Sequence, residues 1–358
     1  MTQDTTTAGP RFGVWAPVYG TWGARTNLDE AVDSSYRRTR DLIVLAERHG
    51  FTSTLLAQHI VNPSNPDVAT LETWTASAAI AEATQDIEII AAIKPLLFHP
   101  GVLAKLALGI DDISGGRFAI NLVSAWFQTE MAELGIEMPP HDERYALSAE
   151  WLADVRALWE GGAVDGAGPR YPLKGLDLRH PPVRPGGPTV YFGGESEPAR
   201  RLAAREADVF FINGRAHDEV VELIEDLRAR PRPQARDPLR FGLAAFVIAR
   251  ETAEEADAEL AHLLELSARD DRSRLVTGTD KDVAMMKVNA GVPRVGTNGG
   301  TLAGLVGSYE QVADRIAAFS AAGIELFMLQ FQPLEAEVVR FGTEVIPRVR
   351  ERSLSPAA

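Results

Sequence analysis

Short apolar runs alternate with longer stretches of helical periodicity along most of this chain. No other feature constrains its fold as strongly. Strands are expected at Phe12–Pro17, Thr52–Ala57, Ile87–Ile93, Phe118–Val123, Thr189–Phe192, Asp208–Ile212, Phe241–Ala249 and Leu326–Gln330. Helical spacing fills most of the gaps. The first helix runs from a cap at Asn27 to Gly50, where Leu42, Ile43, Leu45 and Ala46 set the period. Others cover 73–84, 102–113, about 144–159, 252–266, 310–322 and 335–350. Residues 270–300 show little periodicity, and a Pro/Gly-rich connection leads up to Pro188.

Parallel neighbours need a helical crossover, so this alternation implies parallel strands. The strands are almost wholly apolar, as expected when both faces are buried. Eight such units predict an α/β fold, a (β/α)₈ TIM barrel, as a single domain over 1–358. A barrel norm of roughly 250 residues leaves about 100 for insertions, placed at about 124–187 and 250–302, after strands four and seven. The rival is a doubly wound open sheet. It requires a Gly-rich phosphate turn after strand one, where the chain reads Ala16-Pro-Val-Tyr-Gly20 instead.

Composition narrows the chemistry. The chain has 358 residues, 45% of them apolar, so it can bury a core. It lacks cysteine, which excludes disulfides, thiolate metal sites and a cysteine nucleophile. Lys+Arg number 36 against 50 Asp+Glu, a net charge of −14 with no local basic patch. That argues against nucleic acid as a partner. The N-terminus lacks the basic start and apolar run of a signal peptide. No stretch reaches the ~20 apolar residues of a membrane span, so a cytoplasmic protein is expected.

A barrel places its active site at the strand C-termini. Those ends offer Pro17, Gln58, His59, Lys94, Asn121, Ser124, Gly193 to Ser196, Asn213, Gly214, Gln330 and Gln332. This mouth is mostly neutral and polar. It has no carboxylate pair for glycoside hydrolysis, no metal-ligand spacing and no Ser elbow. Such poverty suggests that a cofactor carries the reaction.

Gly193-Gly-Glu-Ser-Glu-Pro198 follows a strand and opens a helix. Its amides and the Ser196 hydroxyl suit a phosphate, although Glu195 opposes one unless it points away. The bland alternative is a tight turn with Ser196 as N-cap. His141-Asp-Glu-Arg-Tyr145 reads either as a solvated helix start or as a source of Arg144 or Tyr145 for an anion. Lys94, in an apolar stretch, is either a mouth residue or a lysine snorkelling to the rim. Lone His59 is either a packing residue or part of the site. Asn121, in an apolar strand, must find a partner in a ligand or the backbone.

These segments together resemble the bacterial luciferase-like flavin monooxygenases. The matching text is LALGIDDISGGRFAINLV at 106–123 with Ser124-Ala-Trp126, HDERY at 141–145, YFGGES at 191–196, FVIARET at 246–252 and GTNGGTLAGLVGSYEQVADRI at 296–316. The nearest branch holds the two-component enzymes that act on dimethyl sulfone, alkanesulfonates, long-chain alkanes and pyrimidine rings. The resemblance implies a barrel that binds FMN, used as FMNH₂, with O₂ as co-substrate and a separate NAD(P)H:flavin reductase as partner. It implies a flavin (hydro)peroxide attacking a small organic substrate, with a sulfone or sulfonate C–S bond broken. It also implies a homodimer or homotetramer.

Carried over by position, Ser196, the Gly193 and Gly194 amides and Tyr145 hold the FMN phosphate. Asn121 and the strand-three backbone around Ala91 lie near the isoalloxazine. Glu130, Trp126 and His59 line the substrate pocket, and residues 272–300 form a lid. Alkanesulfonate enzymes carry an Arg and a His where Ala244 and Phe246 stand here, and a Cys that this chain lacks. A pocket threonine of the pyrimidine-ring enzyme aligns with Ala92. FVIARET and the Gly-rich text favour the sulfone-type branch. Alternatives on the same fold are oxygenation of an N-heterocycle or other small substrate, an F420-dependent oxidoreductase and a non-catalytic flavin-storage protein.

Overall fold

A computed structural model describes residues 9–30, 32–281 and 292–354. Its centre is a closed, all-parallel barrel. Five strands come first: β1 (Arg11–Trp15), β2 (Ser53–Leu56), β3 (Glu88–Ile93), β4 (Phe118–Leu122) and β5 (Thr189–Gly193). β6 (Val209–Ile212) and β7 (Arg240–Phe246) follow. A separate two-stranded sheet pairs β8 (Ile248–Arg250) with β9 (Val306–Ser308). β10 (Ile324–Gln330) closes the barrel between β7 and β1.

The helices pack outside. They are α1 (Tyr36–Arg48), α2 (Thr73–Ala83), α3 (Pro100–Ser114), α4 (Gln128–Glu133), α5 (His141–Glu160), α6 (Glu197–Glu206) and α7 (His217–Ala229). α8 (Ala253–Ala268), α9 (Ser273–Gly278), α10 (Tyr309–Ala322), α11 (Leu334–Arg340) and α12 (Ile346–Leu354) complete the set. The predicted (β/α)₈ architecture is the observed one. Among the described residues, no helix is long and apolar enough to cross a membrane.

Three local expectations change. Asn27 does not cap α1: its Oδ1 accepts from Asp29 N at 3.0 Å in a loop, and Ser35 caps the helix by accepting from Arg38 N. The seventh strand does not run on to Ala249. Val247 N still bonds Gln330 O at 3.0 Å, but Ile248 N turns to Leu305 O at 3.0 Å, so the chain leaves the barrel there. α4, too short to show a period, was not anticipated between Phe127 and Leu134.

Strand side chains alternate, one face into the barrel and one toward the helices. The N-terminal end of the interior is polar. Glu88 Oε2 accepts from Arg11 at 3.2 Å, Ser53 at 3.1 Å and Tyr191 at 2.7 Å. Above that floor lie Leu55, Ile90, Ala119, Val209 and Leu326, with Tyr191 stacked on Phe211 at 5.0 Å. Gly13 leaves room in this layer for Met328, whose Cε would stand 2.5 Å from a Cβ there. The apolar layer blocks the barrel, so any ligand site must open at the other end.

Candidate active site

The inward-facing rows run off the strand ends into one cavity of about 300 Å³. Row 55, 57 reaches His59; row 90, 92 reaches Lys94; row 119 reaches Asn121; row 191 reaches Gly193. Trp126, Tyr145, Gly194 and Ser196 line the same space. Ala91 does not face it. Odd residues of β3 point to the helices, so Ala91 is packed in the outer core, and Ala92 is the strand-three residue at the cavity wall.

One end is made by the turn from β5 into α6. Gly194 takes φ +143°, and a Cβ there would meet Ala199 Cβ at 3.1 Å, so the turn requires glycine. Ser196 occupies the N-cap position of α6 but caps nothing with its side chain. Its Oγ is buried against the Tyr145 hydroxyl and meets no other polar partner among the described residues. Burial raises the Tyr145 pKa, with Ser196 opposing.

Glu195, which opposed a phosphate, lines the cavity too, but its carboxylate is engaged. It pairs with Arg215 and accepts from Asn213 Nδ2 at 2.9 Å and Asn213 N at 3.1 Å. Arg144 is spoken for as well. It donates to Ala125 O at 2.9 Å and pairs with Asp280, so of the two anion candidates in HDERY only Tyr145 faces the cavity.

Arg144 also secures an unusual backbone. Ala125 has φ +61°, a conformation that costs a non-glycine residue about 1 kcal/mol or more. Asp280 N bonds Trp126 O at 2.9 Å, and Phe127 pairs with Thr279. The turn at Ala125 and this short pairing place the Trp126 ring on the cavity. Of the lid segment 272–300, residues 282–291 lie outside the described residues. Arg272, Leu275, Arg294 and residues 296–299 line the cavity.

The other end is aromatic and holds a buried charged trio. Trp22 packs edge-on against Trp15 at 4.9 Å and Tyr19 at 4.7 Å; His59 lies 5.7 Å from Tyr19 and 5.5 Å from Trp126. Behind His59, Glu130 is fully buried and does not line the cavity. It accepts from Ile60 N at 2.6 Å and forms an ion pair with Lys94. Lys94 does not snorkel; it is 2% exposed, and its Nζ lies 3.4 Å from His59 Nδ1.

Burial would raise the Glu130 carboxyl, yet His59 and Lys94 hold it down at about 2. Burial and the Lys94 charge push His59 down to about 4. Burial lowers Lys94 against the opposing pull of Glu130. At neutral pH the imidazole is uncharged and Glu130 is a carboxylate, with Lys94 held against it as its ion-pair partner.

Among the described residues, the buried Ser196 Oγ, Asn121 Oδ1 and Trp15 Nε1 at the cavity wall complete no hydrogen bond by geometry. Buried polar groups are normally satisfied, so these are the atoms that a ligand would engage. They fit an elongated molecule with a phosphate at the helix terminus and a polar ring system below. Sequence reasoning underrated Lys94 and did not nominate Trp15, Tyr19 or Trp22. The place of Trp15 at the end of strand one was the available signal.

A family model described as luciferase-like monooxygenase matches residues 11–326. An FMNH₂-dependent dimethylsulfone monooxygenase of Pseudomonas putida is 32% identical, aligned over 95% of each chain. A protein of the same description from Pseudomonas fluorescens (strain Pf0-1) is 31% identical over 95% of this chain and 94% of its own. The solved structure of a long-chain alkane monooxygenase superposes with a TM-score of 0.79 and 20% identity, covering 98% of this chain and 93% of that one. That last likeness is one of fold.

Proposed function

The chain belongs to the luciferase-like monooxygenase family, and on that premise we propose that it is an FMNH₂-dependent monooxygenase cleaving the C–S bond of a small sulfone or sulfonate. The observation that carries the reading is a pair of buried polar atoms at one cavity wall that complete no hydrogen bond by geometry among the described residues, Ser196 Oγ at the α6 terminus and Asn121 Oδ1 on β4. Bound reduced FMN would supply the two electrons that activate O₂, one oxygen atom entering the substrate and the other leaving as water.

The protein's share is binding, orientation and exclusion of water. Ser196, Tyr145 and the Gly193–Gly194 backbone would hold the phosphate, and Asn121 would meet the polar edge of the ring system. His59 and Trp126 would face the substrate. Glu130 acts at one remove, by holding Lys94 and His59 in place. At the α6 terminus the phosphate would be held by hydroxyls and amides at a helix N-terminus. The aromatic end excludes water from the reacting centre.

A neutral sulfone suits this cavity better than a sulfonate, since Glu130 already balances Lys94 and the chain carries −14 overall. A separate flavin reductase supplies FMNH₂. The assembly is a homodimer or larger homo-oligomer, for which α3 offers an exposed apolar stripe of Val102, Leu106 and Ile113. Turnover of a panel of sulfones, sulfonates and N-heterocycles with a reductase, FMN and O₂ tests the reading. Product from a sulfone supports it; tight F420 binding with hydride transfer and no oxygenation overturns it.

A further inference from the structure

The trio behind the cavity wall has one more consequence, which concerns which nitrogen of His59 carries the proton. His59 Nδ1 lies 3.4 Å from both Lys94 Nζ and Glu130 Oε1. These neighbours demand opposite things. The lysine needs an acceptor at Nδ1, whereas the carboxylate would take a proton from it.

The two contacts are equally long and Glu130 also pulls on a proton at Nδ1, so what else each partner has to bond decides between them. Glu130 is already served, Oε1 by Ile60 N and Oε2 by Lys94. Lys94 is not: its ammonium has three N–H groups, lies 2% exposed and has only Glu130 and the imidazole as polar side-chain partners among the described residues. A proton on Nδ1 would aim an N–H at that ammonium and strip it of an acceptor. With the Nδ1 lone pair taken, the proton of a neutral imidazole must sit on Nε2. Among the described residues Nε2 bonds no protein group, and the ring lines the cavity beside Trp126 and Tyr19.

We propose that Lys94, held by Glu130, is a positioning residue that fixes His59 as the Nε2–H tautomer, so that His59 donates a hydrogen bond to an oxygen of a neutral substrate. This rests on the oxygenase reading for the identity of the acceptor, but the tautomer itself does not. The acceptor class is an uncharged compound with a hydrogen-bonding oxygen, such as a sulfone, whose oxygens match one N–H donor against an aromatic wall. His59 donates and takes no proton, so no bond to it forms or breaks.

The test is ¹⁵N NMR of the histidine-labelled protein at neutral pH without cofactor. The His59 signals are assigned by their loss in His59→Gln. The expected spectrum shows a protonated Nε2 and an unprotonated Nδ1; the reverse overturns the proposal whatever the enzyme's activity. Lys94→Met is expected to shift His59 toward Nδ1–H, now donating to Glu130. A folded Lys94→Met protein with His59 still fully Nε2–H overturns the role of Lys94.

Turnover separates the substrate half. His59→Gln keeps an amide N–H near the Nε2 position and should hold kcat/KM for a sulfone about tenfold above His59→Asn, whose amide mimics Nδ1, the scale of one hydrogen bond. Equal values with an Nε2–H wild type would remove the substrate contact and leave the tautomer intact. A protein that shows the tautomer but oxygenates nothing would refute the oxygenase reading alone.

Discussion

Glu130 stands behind Lys94, joined to it by a buried ion pair, and neither charge reaches bulk water. The pair adds no net charge to the cavity wall while holding the Lys94 Nζ within reach of His59. Removing one member strands the other, which typically costs about 3–5 kcal/mol. Lys94→Met should therefore lower the unfolding free energy by that order. Lys94→Met combined with Glu130→Gln should recover a large part of the loss, because the stranded charge is gone. Denaturant melts of the four proteins in the cycle check this; additive losses would contradict it.

Ser196→Ala should weaken FMN binding roughly tenfold or more, the worth of one hydrogen bond to a charged group. The cofactor-free protein should keep its melting temperature, because the hydroxyl forms no cap bond to lose. Fluorescence titration with FMN, beside a thermal melt, reads both. Unchanged affinity would remove Ser196 from the phosphate site.

Asn121→Ala should depress turnover far more than flavin affinity. Among the described residues its Oδ1 completes no hydrogen bond, so its loss leaves none of them newly unsatisfied, and stability should fall by no more than about 1 kcal/mol. Steady-state rates and a flavin titration on the same preparation decide. An unfolded variant would show Asn121 to be a structural amide instead.

Stability should respond to pH through His59. Its folded pKa of about 4 lies below the ordinary 6.5, so the unfolded state binds the extra proton between those values. Stability from keeping the ring neutral is present above pH 6.5 and lost as pH falls toward 4, up to about 3 kcal/mol. Glu130, depressed to about 2, adds a loss below its ordinary 4.5. The unfolding free energy of His59→Gln should therefore fall less than that of the wild type between pH 6.5 and 4.5. Parallel curves would contradict the assignment.

Leu106→Arg should shift the protein toward a smaller species, because it places a charge in the exposed stripe of α3. Sedimentation velocity measures this. An unchanged oligomer would move the interface elsewhere.

Much of the barrel was legible because a buried parallel strand leaves a plain mark, an apolar run ended by polar residues. The eight runs from Phe12 to Gln330 carried the fold. Where the reading slipped, a weaker local signal lost to a tertiary one. Asn27 resembles a cap, but the helix waits for Ser35. Phe241–Ala249 looks continuous, but Val247 N bonds Gln330 in the barrel while Ile248 N turns to Leu305. Parity explains the site. Asn121, His59 and Ser196 could be nominated because each lies at or just past a strand end. Ala91 is named for its backbone, and its side chain faces the helices while Ala92 meets the cavity, because in a strand one residue reverses the face. The partners of Glu130 could not be read, since its bonds to Lys94 and Ile60 join segments 36 and 70 residues apart.

The most direct test of the central claim is a single turnover. The protein is loaded anaerobically with reduced FMN and mixed with O₂ and dimethyl sulfone, and sulfur products are measured by mass spectrometry. The account predicts a sulfinate formed in proportion to protein-bound reduced flavin and absent without O₂. Sulfone recovered unchanged, with the flavin reoxidised as fast as in its absence, would contradict it.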